Sequence, residues 1–164
     1  MQPSLVRVLA LLGLTFASVS SLHAQWDPTQ TYRLYTRFQG DTTSLDVIEG
    51  GADDKDLIVN PADSNDTGQY WRITRIGVIS GTTYWRLSNV LLGNDMASDV
   101  YNGGPKNNLT HMVPAAPFTG QYYDIAQIGS GPYYRLTTLF RTPTMSLEGA
   151  GGATTDRPCL KPTG

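Results

Sequence analysis

Apolar and polar residues alternate over short stretches of this chain, and clusters of aspartate, asparagine and glycine separate the stretches. In the stretch Gln69–Thr74, Trp71 and Ile73 alternate with more polar residues, which is the period-two pattern of a half-buried strand. The pattern and its turn residues predict four strands in the first part of the chain, namely Tyr32–Thr36, Ser44–Ile48, Asp56–Asn60 and Gln69–Thr74. Beyond residue 24 no stretch has the periodicity of an amphipathic helix, so the sequence predicts an all-β domain.

The strand pattern occurs three times along the chain. Two landmarks, an aromatic-Arg-Leu tripeptide and an acidic residue, each recur at steps of 53 and then 49 residues. The tripeptides are Tyr32-Arg33-Leu34, Trp85-Arg86-Leu87 and Tyr134-Arg135-Leu136, and the acidic residues are Asp46, Asp99 and Glu148. A fixed period indicates a repeat architecture, so we divide the chain into three copies at about residues 30–78, 82–129 and 132–164.

Three such copies are expected to form one barrel. A unit of four strands cannot bury a face alone, whereas three units packed about a pseudo-threefold axis remove the open edges. Leu34, Leu45, Trp71 and Ile73, with their counterparts in the other copies, are then expected to fill the centre of the barrel.

The third copy lacks a counterpart of the last strand. Pro61, Pro114 and Pro162 hold equivalent positions, and the sequence given reaches Gly164 before any match to Gln69–Thr74. We therefore expect one missing strand. Either the sequence is a fragment or a truncated product, or another segment or a second chain supplies that strand. An unclosed barrel would expose a strand edge.

The N-terminal residues predict a secretory signal peptide. Arg7 supplies positive charge, the run Val8–Val19 is largely apolar, and small residues precede a cleavage position after Ala24. We therefore expect residues 1–24 to be removed, residues 25–164 to form the mature domain, and the protein to be secreted. The apolar run is shorter than the roughly 20 residues that a transmembrane helix needs, so no membrane span is expected.

Charge and reactive residues argue against several classes of function. Removing residues 1–24 deletes Arg7 and no acid, so the 12 basic residues fall to 11 against 14 acidic residues, a net charge of −3. Nucleic-acid binders usually carry a basic patch; we find none, and no nucleic-acid partner is expected. His111 and Cys159, the single histidine and cysteine beyond residue 24, lie outside any triad or metal-ligand spacing, so we expect no catalysis, metal or cofactor. The acidic stretch Asp53–Asp56 is interpreted as solvated turn residues.

Over about residues 30–164, the repeat resembles the ricin-B-type lectin domain, a β-trefoil. The family signature is Gln-x-Trp near the end of each copy, and it stands here as Gln69-x-Trp71 in copy one and as Gln121-x-Tyr123 in copy two. The Leu-Asp-Val step around Asp46 is a second shared feature. The resemblance implies a β-trefoil that binds glycans or polysaccharides, with galactose-like sugars among the ligands.

The resemblance also implies roles for acids and amides. The acid of the second strand binds sugar hydroxyls in that family, and this role falls on Asp46 and Asp99. The motif glutamines, Gln69 and Gln121, brace the fold and form hydrogen bonds near the acid. Glu148 holds the third position, and its extra methylene would disturb the geometry.

A sugar site also needs an aromatic face beside its polar groups. Copy two offers Tyr101, Asn102 and His111 near its acid, whereas the matching region of copy one, Leu57–Val59, has no ring. Copy two is therefore the best candidate site. The residue before each motif glutamine is often asparagine in the family, and glycine stands there in both copies.

Two alternatives stay open at this point. The acids could serve as turn caps and the glutamines as braces only, because a fold does not fix a function. A trefoil without sugar binding could instead act as a protein-binding module, such as a protease inhibitor.

Overall fold

The computed structural model of the chain describes residues 26–149 and 156–163. The signal peptide predicted at residues 1–24 lies outside these described residues. Within them, ten strands and three single-turn 3-10 helices make up the regular structure. The strands are β1 Thr43–Val47, β2 Leu57–Pro61, β3 Trp71–Ile79, β4 Thr82–Asn89, β5 Met96–Val100, β6 Thr110–Pro114, β7 Tyr123–Gln127, β8 Tyr134–Thr138, β9 Met145–Glu148 and β10 Cys159–Pro162.

The 3-10 helices span Gly40–Thr42, Thr67–Gln69 and Thr119–Gln121. In the described part of the chain, no helix has the length and apolar character needed to cross a membrane.

Each copy contains one antiparallel hairpin of the same register. The hairpins are β1–β2, β5–β6 and β9–β10. In these hairpins Asp46 lies opposite Ile58, Asp99 opposite His111, and Glu148 opposite Cys159. Each second strand ends at a proline, which has no N–H to continue a ladder. The repeat read from the sequence therefore corresponds to a repeat in structure.

Backbone hydrogen bonds join the three hairpins in a closed ring. The N–H groups of three equivalent residues each donate to a carbonyl of another copy: Met112 to Lys55 at 2.8 Å, Val59 to Asp156 at 2.8 Å, and Leu160 to Asn108 at 2.9 Å. Copy two thus bonds copy one, copy one bonds copy three, and copy three bonds copy two. This cyclic arrangement defines the pseudo-threefold axis that the sequence predicts.

The barrel wall is a four-stranded sheet in the order β3-β4-β7-β8. Because β3 and β7 end copies one and two while β4 and β8 begin copies two and three, the wall alternates last and first strands. The strand predicted over Tyr32–Thr36, which would begin copy one, is wrong: it has only an isolated bridge from Tyr32 to Trp71. By symmetry its other neighbour would be the last strand of copy three, and the described residues supply no such strand.

The predicted strand Gln69–Thr74 is displaced for a local reason. Gln69 ends a 3-10 helix, and the strand runs from Trp71 to Ile79. The core prediction holds for Leu45, Trp71 and Ile73, which are buried. Leu34 is half-buried instead, since it belongs to the segment without a second neighbour.

In copies one and two, the buried aromatic residue at the start of the last strand forms an equivalent hydrogen bond to the hairpin. In copy one the indole N–H of Trp71 donates to the carbonyl oxygen of Leu45 at 3.0 Å. In copy two the equivalents are Tyr123 and Ser98, whose hydroxyl oxygens lie 2.8 Å apart. Burial raises the pKa of Tyr123 well above its usual range, so this phenol stays protonated. Tyr123, which replaces the larger tryptophan, therefore has a hydrogen-bond partner for its buried hydroxyl in Ser98.

We expect Tyr123→Phe to lower the free energy of unfolding by about 1–2 kcal/mol, because it leaves the buried Ser98 hydroxyl without its partner. Denaturant unfolding measures the change. In the background of Ser98→Ala the same substitution should cost less, since no hydroxyl is then left unpaired. Equal costs in both backgrounds would show that the 2.8 Å contact contributes nothing.

Candidate functional site

The two predicted aspartates occupy equivalent places, on β1 and β5, and are held in the same way. Asp46 Oδ1 accepts the N–H of Val47 at 2.7 Å, and Asp99 Oδ1 accepts the N–H of Val100 at 2.7 Å. Each carboxylate is thereby turned back against its own strand. The orientation is local and does not depend on a ligand.

The predicted glutamines meet these aspartates. Gln69 Nε2 lies 3.5 Å from Asp46 Oδ2, and Gln121 Nε2 lies 3.3 Å from Asp99 Oδ2. Both glutamines are buried, and each also donates to the carbonyl of the proline that ends the hairpin, at 2.9 Å for Pro61 and 3.1 Å for Pro114. The structure therefore brings acid and amide together in copies one and two.

The glutamine oxygens complete the brace. Gln69 Oε1 accepts the N–H of Asp63 at 2.9 Å, and Gln121 Oε1 accepts the N–H of Ala116 at 2.9 Å. Both ends of each amide are thus engaged inside the fold. The glutamines therefore brace the fold and hold the aspartates in place.

Glycine before each motif glutamine has a steric reason that the sequence did not reveal. A Cβ on Gly68 would lie 2.4 Å from Asp46 Oδ1, and a Cβ on Gly120 would lie 1.9 Å from Asp99 Oδ1. The carboxylates occupy the space that any side chain at these positions would need. The available signal was a glycine at nearly the same distance after the acid in both copies, 22 residues from Asp46 to Gly68 and 21 from Asp99 to Gly120.

The two acidic sites differ in exposure. Asp46 is only 4% exposed, and its Oδ2 also accepts the amide of Asn60 at 2.9 Å. Burial raises the pKa of Asp46. Asp99 is half-buried, and Val113 stands where copy one has Asn60. Asp99 therefore retains acceptor capacity at the surface that Asp46 has lost.

The predicted rings of copy two lie together. The Tyr101 and His111 rings are stacked, with centroids 3.6 Å apart and an interplanar angle of 16°. His111 is directly opposite Asp99 in the hairpin. Burial lowers the pKa of His111, so its ring is uncharged at neutral pH. Asn102 is exposed in the turn after β5.

The hydroxyl of Tyr101 is hydrogen-bonded to a buried acid, Asp56, whose burial the sequence did not predict. This hydroxyl donates to Asp56 Oδ1 at 2.7 Å. The interpretation of Asp56 as a solvated turn residue is wrong, because its side chain is only 2% exposed. Lys106 Nζ and Arg157 Nη1 each donate to Asp56 Oδ2 at 2.7 Å.

Asp53 closes this ion cluster, which joins all three copies near the ring of hairpins. It pairs with Lys106 at 3.0 Å and with Arg157. Hydrogen bonds from Arg157 and then Lys106 lower the pKa of Asp53 to about 2. A signal was available, since Asp56 and Arg157 hold equivalent positions in copies one and three and carry opposite charges.

Comparisons with known proteins agree with this architecture. A scan against protein-family models gave no match, and a search of curated proteins gave none. Among solved structures, a mosquitocidal holotoxin matches with a TM-score of 0.66 and 13% identity, over 82% of this chain and 16% of that chain. The designed 3-fold symmetric protein ThreeFoil matches with a TM-score of 0.61 and 23% identity, over 82% of this chain and 90% of that chain.

This chain thus spans about a sixth of the holotoxin. Identities at this level show the fold alone. The chain is a β-trefoil, as both its ring of three hairpins and its similarity to a designed protein of three-fold symmetry show.

Proposed function

We propose that this protein binds carbohydrate through a single shallow site on copy two, formed by Asp99 and His111. The observation that carries the proposal is their juxtaposition: the half-buried carboxylate of Asp99 lies directly opposite the imidazole of His111 in one strand pair. Asp99 Oδ2 accepts hydroxyl groups of a neutral hexose such as galactose, and the imidazole stacks on the C–H face of that sugar. The resemblance to ricin-B-type lectins supports the same assignment.

The other copies lack one of these two parts. In copy one the acid is buried and the residue opposite it is Ile58. In copy three Glu148 is exposed, and Cys159 lies opposite it. One site with few contacts gives weak affinity for a single sugar, and glycans or polysaccharides are the proposed ligands.

We further propose that the protein binds its ligand without catalysis and that it is secreted. The support for binding without catalysis is the placement of His111, which stacks on Tyr101 and faces an acid already held by Gln121. The support for secretion is the signal-peptide pattern of residues 1–24.

A glycan array followed by titration of the best ligand tests the proposal. We expect Asp99→Asn to weaken binding by about tenfold to a hundredfold, since it removes a charged acceptor. Asp46→Asn, the equivalent change in copy one, is the matched control and should leave affinity unchanged. His111→Ala should weaken binding by about fivefold, and His111→Phe should restore most of it.

Two outcomes would count against the site. Equal losses for Asp99→Asn and Asp46→Asn would mean that the acids act only through the fold. A flat array combined with inhibition of a protease would favour the protein-binding alternative instead.

A further inference from the structure

A groove of about 700 Å³ lies between the first segment of copy one and the strands of copy three. It contains none of the residues assigned to the sugar site. Much of its lining is apolar, including Trp26, Leu34, Tyr134, Leu136 and Leu147. Its position is that of the strand that copy three lacks within residues 26–149 and 156–163.

Copies one and two show what fills the equivalent position. In copy one Trp71 lies between Tyr32 and Asn89, the residues opposite it on its two neighbours. In copy two Tyr123 lies in the same way between Trp85 and Thr138. An aromatic residue at the start of an extended segment therefore occupies both filled positions.

The next inward residue is the same in both copies. Ile73 lies opposite Leu87, and Ile125 lies opposite Leu136. The filled positions thus take an aromatic residue and an isoleucine two residues apart, which point to the same face of a strand.

The repeat steps place the third set of partners around the groove. An aromatic residue there would lie between Tyr134 and Thr36, and an isoleucine two residues later would lie opposite Leu34. Leucines that line the groove are more exposed than their counterparts in the filled positions, as expected where a strand is missing. Leu87 is fully buried whereas its counterpart Leu34 is half-buried, and Leu45 is buried whereas its counterpart Leu147 is half-buried.

Trp26 bridges the two sides of the groove. Its ring makes edge-on contacts with Tyr32 and Tyr134, at centroid distances of 5.1 and 5.0 Å. Its indole N–H is buried and has no hydrogen-bond partner among the described residues. An added backbone would bring carbonyl acceptors to this region.

We propose that the groove binds an added extended β-strand that carries an aromatic residue and an isoleucine two positions apart. The strand completes the barrel by main-chain pairing, and its two inward side chains fill the apolar space. A second copy of this chain is the weaker occupant. Its two segments with this pattern, in β3 and β7, are each already paired on both sides in the described structure.

A synthetic peptide with the sequence of residues Thr119–Gln127 is the probe. It has the required pattern and no tryptophan, so the fluorescence of Trp26 in the groove reports its binding. At about a hundred times its Kd we expect the peptide to raise the Tm of the full chain by about 10 °C. The control peptide has serine in place of the second tyrosine and the isoleucine, and it should bind at least tenfold more weakly.

Further measurements locate the site and separate it from the sugar site. Trp26→Phe should remove the fluorescence change while the peptide still raises Tm. Asp99→Asn should bind the peptide as the unchanged chain does, whether or not sugar binding is found. The proposal is overturned if both peptides act alike, if a monomeric chain binds neither, or if sedimentation shows a dimer that does not take up the peptide.

Discussion

Replacing Asp56 by alanine is expected to lower the free energy of unfolding by about 2–3 kcal/mol. Breaking a fully buried ion pair costs about 3–5 kcal/mol, because a charge is left without compensation. Here the acid itself is 2% exposed, but the side chains of Lys106 and Arg157 are 33% and 23% exposed. Both cations also keep Asp53 as a partner, so the expected loss falls below the fully buried case.

The matched control for this change is Asp53→Ala. Asp53 is 39% exposed and pairs with the same two cations, so solvent screens its interactions and we expect a much smaller loss than for Asp56→Ala. Denaturant unfolding of the two variants gives the comparison. If both alanine variants cost the same, burial of Asp56 and its bond from Tyr101 would have no energetic role.

Asp56→Ala should also weaken glycan binding at the proposed sugar site. Tyr101 loses the acceptor of its hydroxyl, and the ring stacked on His111 loses its anchor. A moderate fall in glycan affinity, with Asp53→Ala near the unchanged value, would show that the ion cluster positions the rings.

Replacing Gly120 by alanine is expected to cost about 2–3 kcal/mol, at the upper end for inserting a methyl group into a packed site. The added Cβ would lie 1.9 Å from Asp99 Oδ1 and 3.1 Å from its Cγ, so the carboxylate must leave its place. Because the same carboxylate is the proposed sugar acceptor, glycan binding should be lost with the stability.

A double-mutant cycle separates this overlap from other effects of the methyl group. In the background of Asp99→Ala the carboxylate is gone, so Gly120→Ala should cost much less. Gly131→Ala is the matched control, since its Cβ would meet only the Tyr133 ring at 3.6 Å, an ordinary contact. An unchanged cost in the Asp99→Ala background would place the clash elsewhere.

The arrangement of the candidate site was only partly predictable. The sequence paired Asp99 with Gln121 correctly because the resemblance supplied their relation, and the structure places them 3.3 Å apart. It grouped Tyr101 and His111 near the acid, but their mutual stacking depends on how two strands of a hairpin align. It missed Asp56 entirely, since partners from three copies meet there only when the copies close around the axis.

The sequence by itself determined the threefold repeat, the all-β class and the position of the acid in each hairpin. These follow from local patterns, and a period of two or of about fifty residues is visible without coordinates. Tertiary structure alone decided which acid stays at the surface, why glycine precedes each motif glutamine, and that Tyr32–Thr36 forms no strand. Those outcomes depend on neighbours from distant parts of the chain, because burial and strand pairing are properties of what packs against a residue.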